Sequence, residues 1–282
     1  MKNITLMMVL ATVTLAAVSC GPKKQKQEEQ PKPKMLVIYY SQTSNTQKVA
    51  TEMATRLDAD LAEIVPVEPY EGDFEATINR GKKELDEGIF PEIQPLTVNV
   101  ADYDIIFIGY PIWFGTYAPP IGTFLNQVDL SGKKVVPFCT FGSGGLESSV
   151  RDLYNAEPKV TILEGYGVRA ARLDAMPKEI DQFLKAGRFI EGEYAQLEDF
   201  TEQQPVSEME AAIFDAATGD YPMMHATAES FGKRAIPGGV EYLFVANDLP
   251  REDMPDMPPM GQMKVYVTVI EGETPVFTRV VR

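Results

Sequence analysis

The chain has 282 residues and carries 26 Lys and Arg against 41 Asp and Glu, a formal net charge of −15. An excess of that sign repels phosphate backbones and argues against nucleic acid as a partner. The length is large for one domain and comfortable for two.

In chain order, Met1-Lys2-Asn3 gives a short basic start, and residues 4–18 form a mostly apolar run. That run is shorter than the roughly 20 residues a membrane-spanning helix needs. It ends on Ala16-Ala17-Val18-Ser19-Cys20-Gly21. The ending resembles a bacterial lipoprotein signal with its lipobox. The resemblance implies removal of residues 1–19 and a lipid on the Cys20 thiol. The protein would then be anchored in the bacterial cell envelope, on its periplasmic or surface face. Residues 21–34 (GPKKQKQEEQPKPK) are Gly, Pro, Gln and charged residues. They cannot bury enough surface to fold, so 20–34 reads as a disordered tether. Removing the leader and lipidating Cys20 leaves Cys139 as the one candidate free thiol. It lies in the apolar run 135–139, where an inert core residue is expected.

Residues 36–40 (LVIYY) are β-branched, aliphatic or aromatic and uncharged, which suits a strand buried on both faces of a parallel sheet. Ser41, Thr43, Ser44 and Thr46 follow where the strand turns into a helix. Val49, Met53, Ala54 and Leu57 then recur at helical spacing over 45–57. A helix N-terminus presents unpaired N–H groups and a partial positive charge, so it attracts a phosphate. The loop holds no Lys or Arg, so a phosphate there would be bound by neutral donors. Further strands are predicted at 61–65, 104–109 and 135–139, and a weaker fifth begins at 160–163. Helices are predicted at 74–87, 118–128, 145–156 and 177–186. The alternation predicts an α/β fold with helices on both faces of a parallel sheet.

Ligands bind such sheets at the carboxyl ends of the strands, so the loops after strands one, three and four should meet. After strand three the chain reads Gly109-Tyr110-Pro111-Ile112-Trp113-Phe114-Gly115-Thr116-Tyr117, which contains the single Trp. After strand four it reads Thr140-Phe141-Gly142-Ser143-Gly144-Gly145. Aromatic walls on one loop, and glycines that admit close backbone approach on the other, suit a flat apolar ring.

Together these loops resemble those of the flavodoxin family. Ser41-Gln42-Thr43-Ser44-Asn45-Thr46 is similar to the flavodoxin phosphate loop, T/S-x-T-G-x-T. Ser44 replaces the usual Gly, which costs about 1 kcal/mol if the backbone there is left-handed. The resemblance covers residues 35–188 and implies a doubly wound five-stranded parallel sheet binding FMN. Ser41, Thr43, Ser44, Asn45 and Thr46 would hold the phosphate. The ring would lie between Pro111, Ile112, Trp113, Phe114, Gly115 and Tyr117 on one side and Thr140, Phe141, Gly142 and Gly145 on the other. FMN would carry the chemistry. With no GxGxxG signature for a nicotinamide domain, the expectation is an electron carrier, or an FMN reductase that borrows its donor. Its acceptor would be a redox partner protein or a small molecule. No residue stands out as a catalytic acid or base. The alternative is a flavodoxin fold that has lost FMN and acts as a cell-surface or periplasmic binding module, toward which Ser44 points.

Residues 189–205 are rich in Glu and Gln and read as a linker to a second domain at 206–282. There a helix is predicted at 207–217 and strands at 240–246, 263–270 and 275–281, with a further run at 223–231. This is an α+β order. The segment 236–244 resembles the turn and strand of the cystatin-like fold, which implies a binding or packing module. Met254, Met257, Met260 and Met263 recur at every third residue. Thioethers suit Cu(I), while a Pro-rich loop packing its Met on a neighbour gives the same pattern. The single His225 makes no metal site by itself.

Overall fold

The computed structural model describes residues 32–71, 74–219, 221, 224–250, 259 and 261–282. The leader, Cys20, most of the tether, and Met254, Met257 and Met260 lie outside the described residues. The first domain runs β1 (Met35–Tyr39), α1 (Asn45–Leu57), β2 (Asp60–Glu63), α2 (Phe74–Glu87), β3 (Ile105–Trp113), β4 (Thr116–Tyr117) and α3 (Pro119–Gln127). It continues through β5 (Lys134–Phe141), α4 (Leu146–Ala156), β6 (Thr161–Ile162), β7 (Tyr166–Arg169) and α5 (Met176–Ala186). The main sheet is parallel in the order β2-β1-β3-β5-β6, with β7 also on β5 and β4 antiparallel on β3. This is the doubly wound parallel sheet expected from the sequence.

The uncharged run of β1 is explained by burial on both faces. Leu36 and Ile38 point into a core shared with Phe124 of α3 and Leu153 of α4. Val37 and Tyr39 point the other way, onto Val49 and Met53 of α1 and Ile180 of α5. β3 and β5 contribute alternately to the same two layers through Ile106, Phe107, Val135 and Val136.

Two departures have local causes. The fifth strand is two short pieces, β6 and β7, broken at 163–165. The break lies beside Pro137 of β5, where a Cβ on Gly165 would sit 2.8 Å from the Pro137 carbonyl oxygen. Proline offers no N–H to a ladder, so pairing lapses there. The strand β4 was not expected. It exists because Phe114 (φ 52°) and Gly115 (φ 84°) both take positive φ between the paired Trp113 and Thr116. That is what a two-residue type I′ hairpin requires.

The second domain packs α6 (Glu208–Thr218) on one antiparallel sheet. The sheet is formed by β8 (Gln204–Pro205), β9 (Ala226–Ile236), β10 (Gly239–Asp248), β11 (Gln262–Ile270) and β12 (Val276–Val281), in the order β12-β11-β10-β9-β8. Its core holds Phe214, Phe231, Phe244, Val265 and Phe277. β8 falls inside the expected linker, whose end therefore pairs with β9. The β9–β10 turn is Pro237-Gly238, with Gly238 at φ 79°, the residue pair that a type II turn favours. Met263 of the Met-rich run is buried in this core.

The buried tyrosines make stability sensitive to alkali. Burial pushes the Tyr110 and Tyr166 hydroxyls well above their ordinary value near 10, and Glu179 beside Tyr166 adds to its shift. A group whose pKa is raised by folding contributes stability that is present below its unfolded value and lost as pH rises past it. Stability should therefore fall once pH exceeds about 10. Tyrosinate absorbance from these residues should appear together with loss of circular dichroism. Ionisation of all tyrosines in a chain that stays folded would contradict this.

Candidate functional site

The turn from β1 into α1 builds a cradle at the carboxyl edge of the sheet. Ser44 is the residue before α1 and is left-handed, with φ 61° and ψ 2°. Its side chain does not cap the helix, and the first turn holds no acidic residue. The positive helix end and its unpaired N–H groups therefore face the loop without a competing side chain. The Ser41 Oγ is buried and has no hydrogen-bond partner among the described residues. An unsatisfied buried hydroxyl costs about 1–3 kcal/mol. Thr43 and Ser44 are exposed, Asn45 is half-buried, and Thr46 is fully buried. The Thr46 and Thr140 hydroxyls lie 2.8 Å apart, which ties this cradle to the end of β5. An orphan hydroxyl beside an uncapped helix N-terminus fits a phosphate group.

The loop after β3 is divided between two environments. Trp113 is half-buried and stands edge-on to Tyr70 at 5.0 Å and to Tyr40 at 6.1 Å. It also packs on α2, where a Cβ on Gly81 would come within 2.9 Å of the indole. Gln42 accepts from the Tyr40 hydroxyl at 2.6 Å and donates to the Tyr70 carbonyl at 2.9 Å, so this aromatic cluster abuts the loop between β1 and α1. Phe114 is instead 51% exposed at the hairpin tip. A bulky residue in the left-handed region costs roughly 1–2 kcal/mol, and such strain is often stored where a loop has work to do. The Ser148 hydroxyl donates to the Gly115 carbonyl and fastens the hairpin to α4. Tyr117 is buried against Tyr110, and burial followed by the Asp152 charge raises its pKa.

Between this hairpin and the loop after β5 lies a cleft of about 380 Å³. Of the residues expected to hold a ring, Ile112, Phe114, Gly115, Phe141, Gly142 and Gly145 line it. Pro111, Trp113, Tyr117 and Thr140 are not in its lining. Its far side is closed by Tyr221, Val280 and Arg282 of the second domain, which sequence reasoning missed. No local motif marks them, because they reach the cleft only through the docking of β12. The Val280 N–H donates to the Ser143 carbonyl at 2.7 Å, and Gly144 and Val280 form a parallel bridge. Arg169, at the end of β7, donates from Nε to the Gly142 carbonyl and from a terminal nitrogen to the Phe277 carbonyl, both at 2.8 Å.

A helix-flanked parallel sheet with a hydroxyl-rich first loop and an aromatic-and-glycine cleft beyond it defines a doubly wound α/β architecture. The family model for flavodoxin matches residues 34–180, just over half of the chain, and the chain belongs to the flavodoxin family. It is similar to a candidate flavoprotein from Bacteroides eggerthii at 31% identity, over 55% of this chain and 97% of that one, with a TM-score of 0.49. A second, from Bacteroides uniformis, matches at 29% identity over 53% and 98%, with a TM-score of 0.48. A flavoprotein from Lactobacillus acidophilus, solved in complex with FMN, matches at 27% identity over 48% and 93%, with a TM-score of 0.44.

Proposed function

We propose that this protein binds FMN and exchanges electrons with a redox partner protein or a small-molecule acceptor while tethered to the bacterial envelope through a lipid on Cys20. The observation that carries the proposal is the buried, unpartnered Ser41 Oγ beside the uncapped start of α1. Ser41, Thr43, Ser44, Asn45 and Thr46 would hold the phosphate. Phe114 and the glycines of the loop after β5 would border the ring. When bound, FMN supplies the redox chemistry. The protein would hold it through neutral donors, set Phe141 and Ile112 against the ring, and fix the loops by the Thr46–Thr140 and Ser148–Gly115 contacts. The second domain serves as a cystatin-like binding or packing module.

Ser44 favours this reading over an FMN-free binding module. It keeps the left-handed conformation that glycine would adopt, at a cost of about 1 kcal/mol, so the loop geometry is retained despite the substitution. The test is Ser41→Ala. Removing an unpartnered buried hydroxyl should stabilise the FMN-free protein by about 1 kcal/mol, and losing a phosphate donor should weaken FMN binding about tenfold. Unchanged affinity would exclude the phosphate from this loop. For the anchor, palmitate labelling of the wild-type chain in a bacterial host should disappear in Cys20→Ala. Labelling that persists would refute it.

A further inference from the structure

The cleft beside Phe114 is not completed by the flavodoxin domain. We infer that the second domain is part of the flavin site, with Tyr221 and Val280 as its outer wall and Arg169 as the positioning residue that holds the loop after β5 against that wall. The inference rests on the proposal that the cleft takes the FMN ring.

The contact between the domains is backbone on backbone. A Cβ on Gly144 would lie 2.0 Å from the Val280 carbonyl oxygen and 3.1 Å from its carbonyl carbon. Only glycine permits that approach. The two carbonyls that begin the loop are both taken from outside it, Gly142 by Arg169 and Ser143 by the Val280 N–H. A trans peptide sets its N–H opposite its C=O, and no peptide bond here is cis. With those carbonyls drawn toward Arg169 and β12, the N–H groups of Ser143 and Gly144 are turned the other way.

Arg169 adds a permanent charge to this frame. It is buried, and its guanidinium lies over the Phe277 ring at 4.2 Å and the Tyr221 ring at 4.9 Å. Burial lowers its pKa, but a guanidinium stays protonated in proteins. The same side chain thus orients Gly142, grips Phe277 at the edge of β12 and supports Tyr221, which lines the cleft. It acts through these groups, one hydrogen bond behind the lining. The second domain therefore sets the shape of the ring site, and Arg169 biases its potential toward the reduced state.

The test uses the full chain, purified in detergent and titrated with FMN. Affinity, visible absorbance and midpoint potential are read for the wild type, Tyr221→Ala, Arg169→Met and Arg169→Lys. Tyr221→Ala should shift the bound-flavin spectrum and weaken affinity about tenfold. Arg169→Met should weaken binding and make the potential more negative. Arg169→Lys keeps the charge and should restore most of the potential without restoring full affinity. If Arg169→Met fails to fold, Tyr221→Ala, which leaves the Gly142 anchor in place, decides alone. Tyr221→Ala with wild-type affinity and spectrum overturns the inference. A wild-type chain that binds no FMN overturns the flavin reading itself, and a wild type that binds beside unaffected variants overturns only the wall.

Discussion

Replacing Thr43 and Thr46 together by Ala is expected to weaken FMN binding by at least about a hundredfold, since a hydrogen bond to a charged group contributes about 1.5–3 kcal/mol. The two side chains contribute differently. Thr43 is exposed on the loop, so its loss should act on the ligand alone. Thr46 is fully buried and shares a 2.8 Å hydrogen bond with Thr140. Truncating it leaves the buried Thr140 hydroxyl without that partner and loosens the link between α1 and β5. The double variant should therefore also lose about 1–3 kcal/mol of stability without ligand. Fluorescence titration and thermal unfolding of the same samples check both halves. An affinity within threefold of wild type would mean that this loop does not hold the phosphate, a threshold of about 0.7 kcal/mol.

Gly144→Ala is the second large effect. Unlike a flexible side chain, the Val280 carbonyl cannot swing aside from the added carbon, so β12 or the loop must move. The 2.7 Å hydrogen bond from Val280 to Ser143 should be lost. Overpacking of this kind costs about 1–3 kcal/mol. Differential scanning calorimetry should show a lowered Tm, and hydrogen exchange should show the Val280 amide exposed. A variant with wild-type Tm and a protected Val280 amide would mean that the last strand does not sit on this loop. The strain is steric, because the backbone of Gly144 is not in the left-handed region.

Most of the first domain was legible in the sequence because its central strands are buried on both faces. Runs such as 36–40 and 135–139 have no polar side to confuse with a helix, and α2 occupies Phe74–Glu87 as its pattern predicts. The turn from β1 into α1 was legible because its signals are local, with strand, hydroxyls and helix start following within a dozen residues. The β4 hairpin was hidden because Phe114 defies ordinary turn chemistry, in which Asn or Gly would take the positive φ. The break in the fifth strand was hidden because its cause, Pro137, lies in the neighbouring strand. Trp113 was expected at the ring, and the structure sets it edge-on to Tyr40 and Tyr70. Its place among Tyr40, Tyr70 and Gly81 depends on α2 folding across it, which no local pattern encodes. Arg169 and Tyr221 escaped notice for the same reason, since their partners are set by how the second domain docks.

In the second domain the helix and the strands were legible from their periodicity, while β8 was not. Two residues ending in Pro205 carry no alternation to read, and β8 pairs with β9 only at Gln204 and Pro205. The β9–β10 turn was visible as Pro237-Gly238, whose types match the turn that forms.

The most direct test of the account is a fluorescence titration of FMN with the purified chain, after circular dichroism has established that it is folded. Saturable quenching with micromolar or tighter affinity is expected, weakened in Ser41→Ala. A folded chain that leaves FMN fluorescence unchanged across the titration would contradict it.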